Sequence, residues 1–234
     1  METLSFETIL AATDYTELSE NAVRTASLMC RKHNAALILV HVVESAAVPY
    51  DEHHFDLDYT KELKKAAGNQ LKRLADDIRS NYRIPVTDMV RYGDVAGEIL
   101  RVVKEHKPGL VVIGTHGTSG VRRFFIGSTA YRIIRSSGSP VMTVPGTGDW
   151  SSFTHILFPV ISNSRALEKY DLVSPIIRKD HSKLHVLGLS MEADFRKLNE
   201  VKEIGKKLEE RLHGDGVTYD AVYDRCHHYA DSIL

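Results

Sequence analysis

The stretch Leu110-Val111-Val112-Ile113-Gly114-Thr115-His116-Gly117, with Gly127-Ser128-Thr129 shortly after it, decides how this chain folds. Its first four residues form an apolar run of the kind that a parallel strand buried on both faces needs. Tyr131, Ile134 and Arg135 then follow at helical spacing, so a helix is predicted there, with the two hydroxyl side chains just before it expected to act as N-caps. Glycines let main-chain N–H groups approach an anion, and a helix start adds attraction. The stretch therefore predicts a phosphate cradle.

Outward from this stretch, apolar runs and helical patterns alternate through the first 145 residues. Strand-like segments lie at 8–12, 37–43, 86–90, 110–113 and 141–144. Helical spacing of apolar residues predicts helices between them, one of which has Asp94 as its expected N-cap. This alternation predicts an α/β fold with an open, parallel, five-stranded sheet that carries helices on both faces.

A second, incomplete copy of the pattern follows the turn-rich segment 145–149. A shift of 147 residues places Ile9-Leu10 on Ile156-Leu157 and residues 37–42 on residues 184–189 without a gap. The fourth strand, the glycine loop and the fifth strand have no counterpart in the second copy. We expect a nucleotide-binding domain at 1–147 and a degenerate, incomplete copy at 151–234, in which the chain either ends early or is a fragment.

Composition excludes several classes of protein. The formal net charge is -1, which provides no basic field for nucleic acid. No stretch approaches the ~20 apolar residues of a membrane span. The chain has 2 cysteines, Cys30 and Cys226, and so offers no disulfide framework. We expect a cytoplasmic protein that binds neither nucleic acid nor a membrane.

The glycine spacing resembles the Gly-x2-Gly-x9-Gly-Ser/Thr signature of the universal stress protein family, met here by Gly114, Gly117, Gly127 and Ser128. The resemblance implies an adenine nucleotide alpha hydrolase-like fold that binds ATP, with AMP or ADP as alternatives, together with Mg²⁺. It also implies a homodimer and a regulatory protein partner not identified by the sequence. A Gly-rich connector without a ligand is the alternative. A Walker-type loop is excluded, because no Lys-Ser or Lys-Thr pair follows these glycines.

The same resemblance assigns roles to individual residues. Backbone groups of Gly114, Gly117, Gly127, Ser128 and Thr129 are expected to hold the phosphates, and the Ser128 hydroxyl is expected to reach a phosphate oxygen or a metal-bound water.

Two further roles concern the nucleoside. Asp14, at the end of the first strand, matches the acid that contacts the nucleoside, although it would also serve as an N-cap for a helix starting near Leu18. The backbone of Val42, at the end of the second strand, is expected to read the adenine edge, and His41 is expected to be a packing residue.

No catalytic residue and no metal ligand is predicted. His116 lies between two glycines but has no nucleophile or orienting group in a predictable geometry. The clusters Glu52-His53-His54 and Cys226-His227-His228 contain adjacent histidines, which do not naturally face one ion. Arg122 and Arg123 are expected to be solvated loop charges, with closure over the phosphate tail as the alternative role.

The predicted function is an ATP-binding regulator of the stress response that acts through partners or self-assembly. A slow ATP hydrolase or phosphate-transferring enzyme of the same fold is one alternative, and a nucleotide-free interaction module is another. In the second copy Ile161 aligns with Asp14, so no nucleotide is expected to bind there.

Overall fold

The fold is taken from a computed structural model that describes residues 6–44, 57–115, 126–148, 150–162, 165–191 and 195–226. The chain divides into two compact units. The first is Ser5–Ser151, and the second is Ser152–Leu234 together with Met1–Leu4. Each unit has its own sheet and its own core, and each is described by itself below.

The first unit alternates strands and helices in the predicted order. In chain order its elements are β1 (Thr8–Thr13), α1 (Glu17–His33), β2 (Ala36–Val43), α2 (Leu57–Tyr82), β3 (Val86–Tyr92), α3 (Val95–His106), β4 (Leu110–Thr115), α4 (Ser128–Ser136) and β5 (Val141–Pro145). The five strands form one parallel sheet in the order β3-β2-β1-β4-β5. The predicted fold class of this unit is confirmed.

Both faces of this sheet are covered, which is why its inner strands β1, β2 and β4 are almost entirely apolar. Side chains from α3 and α4, such as Ile99 and Ile133, pack with Leu10, Val40 and Val111 in one buried cluster. Helix α1 contacts β1, β4 and β5, and α2 contacts β3. A parallel strand that is buried on both faces needs a continuous run of apolar residues, and the runs predicted for β1, β2 and β4 have this property.

The second unit has a smaller parallel sheet. Its elements are β6 (His155–Ile161), α5 (Ala166–Asp180), β7 (Lys183–Met191), α6 (Phe195–Gly214) and β8 (Tyr219–Cys226). The sheet order is β6-β7-β8, and helix α6 packs on all three strands. A core that includes the fully buried Tyr170, Leu184 and Leu208 lies between the sheet and its helices.

Strand pairing preserves the internal repeat. Ile9 pairs with Leu37 in the first unit, and Ile156 pairs with Leu184 in the second. Both partners are shifted by the same 147 residues, so the two copies share not only a sequence pattern but also the register of their first two strands. The third strands differ in offset, since Leu37 pairs with Val86 whereas Leu184 pairs with Tyr219.

Two properties of the described residues bear on the classes of protein considered above. No helix in these parts of the chain combines the length and the apolarity that crossing a bilayer would require. Cys30 and Cys226 are both buried free thiols. Burial raises the pKa of Cys30 to about 12, so this thiol stays protonated and packs as a small apolar side chain.

Candidate functional site

A cleft opens at the carboxyl ends of β1 and β4. The pairing of these strands ends at Ala11 and Val112, although β1 runs on to Thr13 and β4 to Thr115. Strand order reverses here, because β2 lies on one side of β1 and β4 on the other. Open parallel α/β sheets bind ligands at such a point. The cleft holds a cavity of about 500 Å³, within the range of small-molecule sites.

Six of the seven predicted site residues line this one cavity. They are Asp14, Val42, Gly114, Gly127, Ser128 and Thr129. The seventh, Gly117, lies outside the described residues, as do His116, Arg122 and Arg123. The histidines of the two clusters considered as metal ligands, His53, His54, His227 and His228, also lie outside them.

Apolar side chains form the inner wall of the cavity. Val40 comes from β2, Ile113 from β4, Ile99 from α3 and Ile133 from α4. All four belong to the buried core between the sheet and helices α3 and α4, so the wall is held by the packing of the unit. A rigid apolar slot of this kind suits a flat aromatic ring.

Asp14 lies at the mouth of the cavity and organises the turn into α1. Its Oδ1 atom accepts hydrogen bonds from the Thr16 N–H at 3.0 Å and from the Thr16 hydroxyl at 2.6 Å. Burial raises the pKa of Asp14, but the hydrogen bonds from Thr16 and Ser19 outweigh that effect and hold the pKa below its ordinary value. The group is therefore an anion at neutral pH, able to accept protons from ligand hydroxyls.

Asp14 does not cap helix α1, so the prediction that it would also serve as the N-cap was wrong. The N-cap of α1 is Thr16, whose side chain accepts a hydrogen bond from the Ser19 N–H. The helix begins at Glu17, earlier than predicted. Asp14 instead orients the capping residue, because its carboxylate binds Thr16 from two residues upstream.

The backbone of Val42 faces the cleft because of its position in the ladder. The Ala36 N–H donates to the Glu7 carbonyl, so Ala36 and every second residue after it, Val42 included, point toward β1. Pairing with β1 ends one residue earlier, at His41 and Thr13. The Tyr15 N–H that would continue the ladder donates to the Thr13 hydroxyl instead, at 3.1 Å. The Val42 carbonyl is thereby left facing the cleft.

His41 has the packing role expected for it. Its Nδ1 atom lies 2.9 Å from the Thr13 carbonyl oxygen, and its ring centroid lies 4.6 Å from that of Tyr15. Tyr15 has a φ of 63°, a left-handed conformation that aromatic residues rarely adopt. The contacts of His41 and Thr13 hold this turn directly after Asp14.

Gly114 is required by packing, whatever the cavity binds. A Cβ atom placed on it would lie 2.7 Å from the Leu18 carbonyl oxygen and 3.0 Å from its carbonyl carbon. Both are backbone atoms of the first turn of α1, which cannot move aside as a flexible side chain can. A glycine here lets β4 approach α1 closely and thereby shapes the floor of the cleft.

The start of α4 forms the opposite side of the cavity. The N-cap is Gly127, without a side-chain hydrogen bond, so the prediction that the Ser128 and Thr129 hydroxyls cap this helix was wrong. Ser128 is the first helical residue, and the Tyr131 N–H is the donor that reaches back to the Gly127 carbonyl. The N–H groups of Ser128, Thr129 and Ala130 therefore have no partner within the helix and border the cavity.

An ion pair fixes α4 beside α3. Arg132 donates from both terminal nitrogens to the two oxygens of Asp94, each at 2.8 Å. Asp94 also caps α3, as predicted, by accepting from the Gly97 N–H at 2.8 Å. The hydrogen bonds from Arg132 and Gly97 lower the pKa of Asp94, so the carboxylate stays charged and the bidentate pair adds to the core packing of Ala130 and Ile133 that holds α4.

Charge is distributed unequally around the cavity. Its only charged lining residues among those described are the acids Asp14 and Glu44, near the ends of β1 and β2. The positive end of the α4 dipole, with the N–H groups that are unpaired within the helix, lies on the other side. The cavity therefore favours a ligand with neutral hydroxyls at the β1 end and an anionic group at α4.

Sequence reasoning missed several lining residues that the fold brings in. Ser19 and Ile99 reach the cavity from helices α1 and α3, Ile133 reaches it from α4, and Glu44 follows β2. Ile99 was readable only as an apolar position of a helix, and no signal in the sequence pointed to Ser19 or Ile133, because the side of a helix that meets a cavity depends on tertiary packing. Glu44 had a usable signal, since it is a polar residue directly after a buried strand, like Asp14.

Comparison with known proteins agrees with this architecture. The family model described as the universal stress protein family matches residues 5–145. Universal stress protein YxiE of Bacillus subtilis is 27% identical over 147 residues, covering 59% of this chain and 99% of its own. Universal stress protein MJ0531 of Methanocaldococcus jannaschii is 24% identical over 139 residues, covering 59% of this chain and 82% of its own.

The fold of both units has a solved counterpart. A crystal structure of a universal stress protein from Archaeoglobus fulgidus aligns over 100% of this chain and 82% of its own, with a TM-score of 0.78 and 18% identity. The alignment therefore includes both sheets of this chain. With its family-model match extending over more than half of its length, this chain belongs to the universal stress protein family.

Proposed function

We propose that the first unit binds ATP and that the bound and free forms differ in how they engage a regulatory partner or a second copy of the chain. The observation that carries this proposal is that one cavity is lined by Asp14, by Val42 and by the first turn of α4, whose N–H groups have no partner within the helix. The adenine ring would occupy the apolar slot beside Val42. The ribose hydroxyls would donate to Asp14, and the phosphates would accept from the start of α4.

The side chains that line the cavity also limit how Mg²⁺ could be held. Among the described lining residues, Asp14 and Glu44 are the only carboxylates, and both lie at the proposed nucleoside end. The metal would therefore be bound mainly by the phosphates and by water, as is usual for Mg²⁺, with the Ser128 hydroxyl as the nearest protein ligand. Mg²⁺ would screen the charge of the phosphates.

Calorimetric titration with ATP, AMP and a flavin nucleotide tests this proposal. We expect binding of ATP, weaker binding of AMP because fewer phosphate oxygens reach α4, and no binding of the flavin nucleotide in the adenine slot. Equal affinity for ATP and AMP would contradict the role given to α4. No heat with any nucleotide would favour an interaction module whose cavity stays empty.

We further propose a homodimer formed through β5, which is an edge strand of the first sheet. The Val111 N–H donates to the Pro140 carbonyl, so Met142 and Val144 are the β5 residues that donate back to β4. The N–H of the exposed Thr143 therefore points away from the sheet. An edge of this kind pairs readily with a second chain.

Thr143→Pro tests the dimer, because it removes only an outward N–H group and leaves the ladder to β4 intact. We expect sedimentation to show a dimer for the unaltered protein and a shift toward monomer for Thr143→Pro. Circular dichroism would check that the variant folds. An unchanged dimer in Thr143→Pro would show that β5 is not the interface.

A further inference from the structure

Two histidines and an aspartate form a connected group on the sheet of the second unit. His155 begins β6, His185 lies on β7 and Asp220 lies on β8. His185 is directly opposite Asp220, and His155 is opposite Lys183, two residues before His185. Because side chains of one strand alternate between faces, all four side chains lie on the same face of the sheet.

The two imidazole rings meet edge to edge. His155 Nδ1 lies 3.0 Å from His185 Nε2, the ring planes differ by 16°, and the ring centroids are 5.3 Å apart. That centroid separation equals the nitrogen contact plus one ring radius on each side, so the rings are nearly coplanar and their nitrogens face each other. The contact is a shared proton between two nitrogens and not a stack of ring faces.

Asp220 fixes which nitrogen of His185 is free. The Nδ1 atom of His185 lies 2.9 and 3.1 Å from the two carboxylate oxygens of Asp220. A carboxylate only accepts hydrogen bonds, so this nitrogen carries a proton. In neutral His185 the lone pair is therefore on Nε2, the atom that faces His155. A carboxylate behind an imidazole in this way is the usual support of a metal-binding histidine.

We infer that His155 Nδ1 and His185 Nε2 bind a divalent late transition-metal ion, Cu²⁺ most tightly, in the place of their shared proton. Asp220 holds the ring of His185, so the ion lies on the lone-pair axis of Nε2, about 2.0–2.1 Å from that atom. The exposed His155 moves aside and turns until its Nδ1 lone pair meets the ion at a neighbouring position of the coordination sphere. Imidazole ligands suit Cu²⁺ and Ni²⁺, and Cu²⁺ forms the tightest complexes of the divalent first-row metals.

Solvent completes the coordination sphere at this site. Among the described residues, no group of three or more His, Cys, Asp or Glu side chains is arranged to hold a metal. The protein therefore supplies two ligands, and the remaining positions are open to water or to a small anionic ligand. An ion held in this way is exchangeable.

Lys183 weakens this site in a way that can be measured. Its Nζ atom lies 2.8 Å from Asp220 Oδ2. Hydrogen bonds from Lys183 and His185 hold the pKa of Asp220 below its ordinary value, so the carboxylate stays charged. The ammonium group cancels that charge beside a dication, and Lys183→Gln is expected to tighten metal binding several-fold.

The site is tested in the full chain with His53, His54, His227 and His228 replaced by Gln, which removes the other paired histidines. We expect one Cu²⁺ ion whose electron paramagnetic resonance spectrum shows splitting by two imidazole nitrogens. His155→Ala and His185→Ala should each abolish the two-nitrogen pattern and weaken binding at least tenfold. Asp220→Asn should weaken it roughly tenfold. His213→Ala, which removes an exposed histidine at the end of α6, serves as the matched control and should change nothing.

Two results would overturn the inference. One is a two-nitrogen spectrum that survives both His155→Ala and His185→Ala. The other is the absence of Cu²⁺ binding in the background protein while circular dichroism shows it folded. Neither outcome bears on nucleotide binding, which is proposed for the other unit.

Discussion

Asp14 illustrates how one side chain can serve both the fold and a ligand. Its Oδ1 atom binds Thr16 and so orients the residue that caps α1. Its negative charge, kept by those hydrogen bonds, is what a ribose hydroxyl would meet at the mouth of the cavity. The two roles are separable because an amide oxygen can replace the carboxylate toward Thr16 but carries no charge.

Asp14→Asn is predicted to weaken ATP binding about tenfold, because a hydrogen bond to a charged acceptor is replaced by one to a neutral acceptor. Stability should change little, since the amide oxygen still accepts from Thr16. Calorimetry and urea unfolding measure the two effects. Glu20→Gln, an exposed acid on α1, is the matched control, and a loss of affinity as large in that variant would argue for a general charge effect.

Gly114 belongs to the glycine signature of the nucleotide-binding loop, but the structure shows that it is needed for packing. Gly114→Ala is predicted to destabilise the protein by about 1–3 kcal/mol without any ligand, since its Cβ meets backbone atoms of Leu18. Gly138→Ala is the control, because no atom lies within 4 Å of its Cβ position. Urea unfolding in the absence of nucleotide compares the two, and equal stabilities would refute the packing role.

Helix α4 is the element on which phosphate binding depends. Gly127 has φ -58° and ψ 156°, an extended conformation that a following proline favours, and Ser128 is the first helical residue, where proline is well tolerated. Ser128→Pro therefore removes one N–H group from the cavity while keeping the helix. This substitution separates the contribution of the main chain from that of the hydroxyl group.

Ser128→Pro is predicted to weaken ATP binding roughly tenfold to a hundredfold, as the loss of one hydrogen bond to a charged group implies. Ser128→Ala, which keeps the N–H group, should have a smaller effect. Adenosine, which has no phosphate, should bind both variants as it binds the unaltered protein. If Ser128→Ala and Ser128→Pro lose the same affinity, the hydroxyl and not the main chain is the phosphate ligand.

The inner strands β1, β2 and β4 could be predicted because burial on both faces makes them almost continuously apolar. Their ends could not be predicted as well, and the reason is physical. Strand β1 continues to Thr13, β3 to Tyr92 and β4 to Thr115, past the last apolar residue of each predicted run. Backbone pairing continues past each apolar run up to the carboxyl end of the strand. The ends of β1 and β4 border the cleft, where the chain no longer needs apolar side chains.

The site was predicted in part for the same reason. Residues such as Asp14 and Val42 stand directly at the ends of strands, and parallel strands end at a common edge. Ile99 and Ile133 could not be assigned to the site, because the direction of a helical face is set by packing and not by spacing. The prediction for the N-cap of α4 was wrong, because hydroxyl side chains close to the start of a helix need not occupy the capping position.

At the level of the whole chain, the two units repeat the register of their first strands but not the chemistry of the cleft. We propose that they correspond to a nucleotide-binding domain at 1–147 and a degenerate domain at 151–234. Ile161 ends β6 where Asp14 follows β1, so the second unit lacks the carboxylate at the equivalent place. Among its described residues, the second unit also has no counterpart of β4 or of α4.

One ATP per chain is therefore predicted. Calorimetry should give a stoichiometry near one, and Asp14→Asn and Ser128→Pro should weaken that single site. A second site that is unaffected by both substitutions would show that the degenerate unit also binds nucleotide. The Cu²⁺ proposed for His155 and His185 should not change the ATP stoichiometry.

The location of the nucleotide is the central claim, and amide chemical-shift mapping during an ATP titration tests it most directly. The account predicts that the largest changes occur at the N–H groups of Ser128, Thr129 and Ala130, with further changes at Asp14 and Val42. Changes confined to another part of the chain, such as the open cavity lined by Arg31, Asn34 and Arg83, would contradict it.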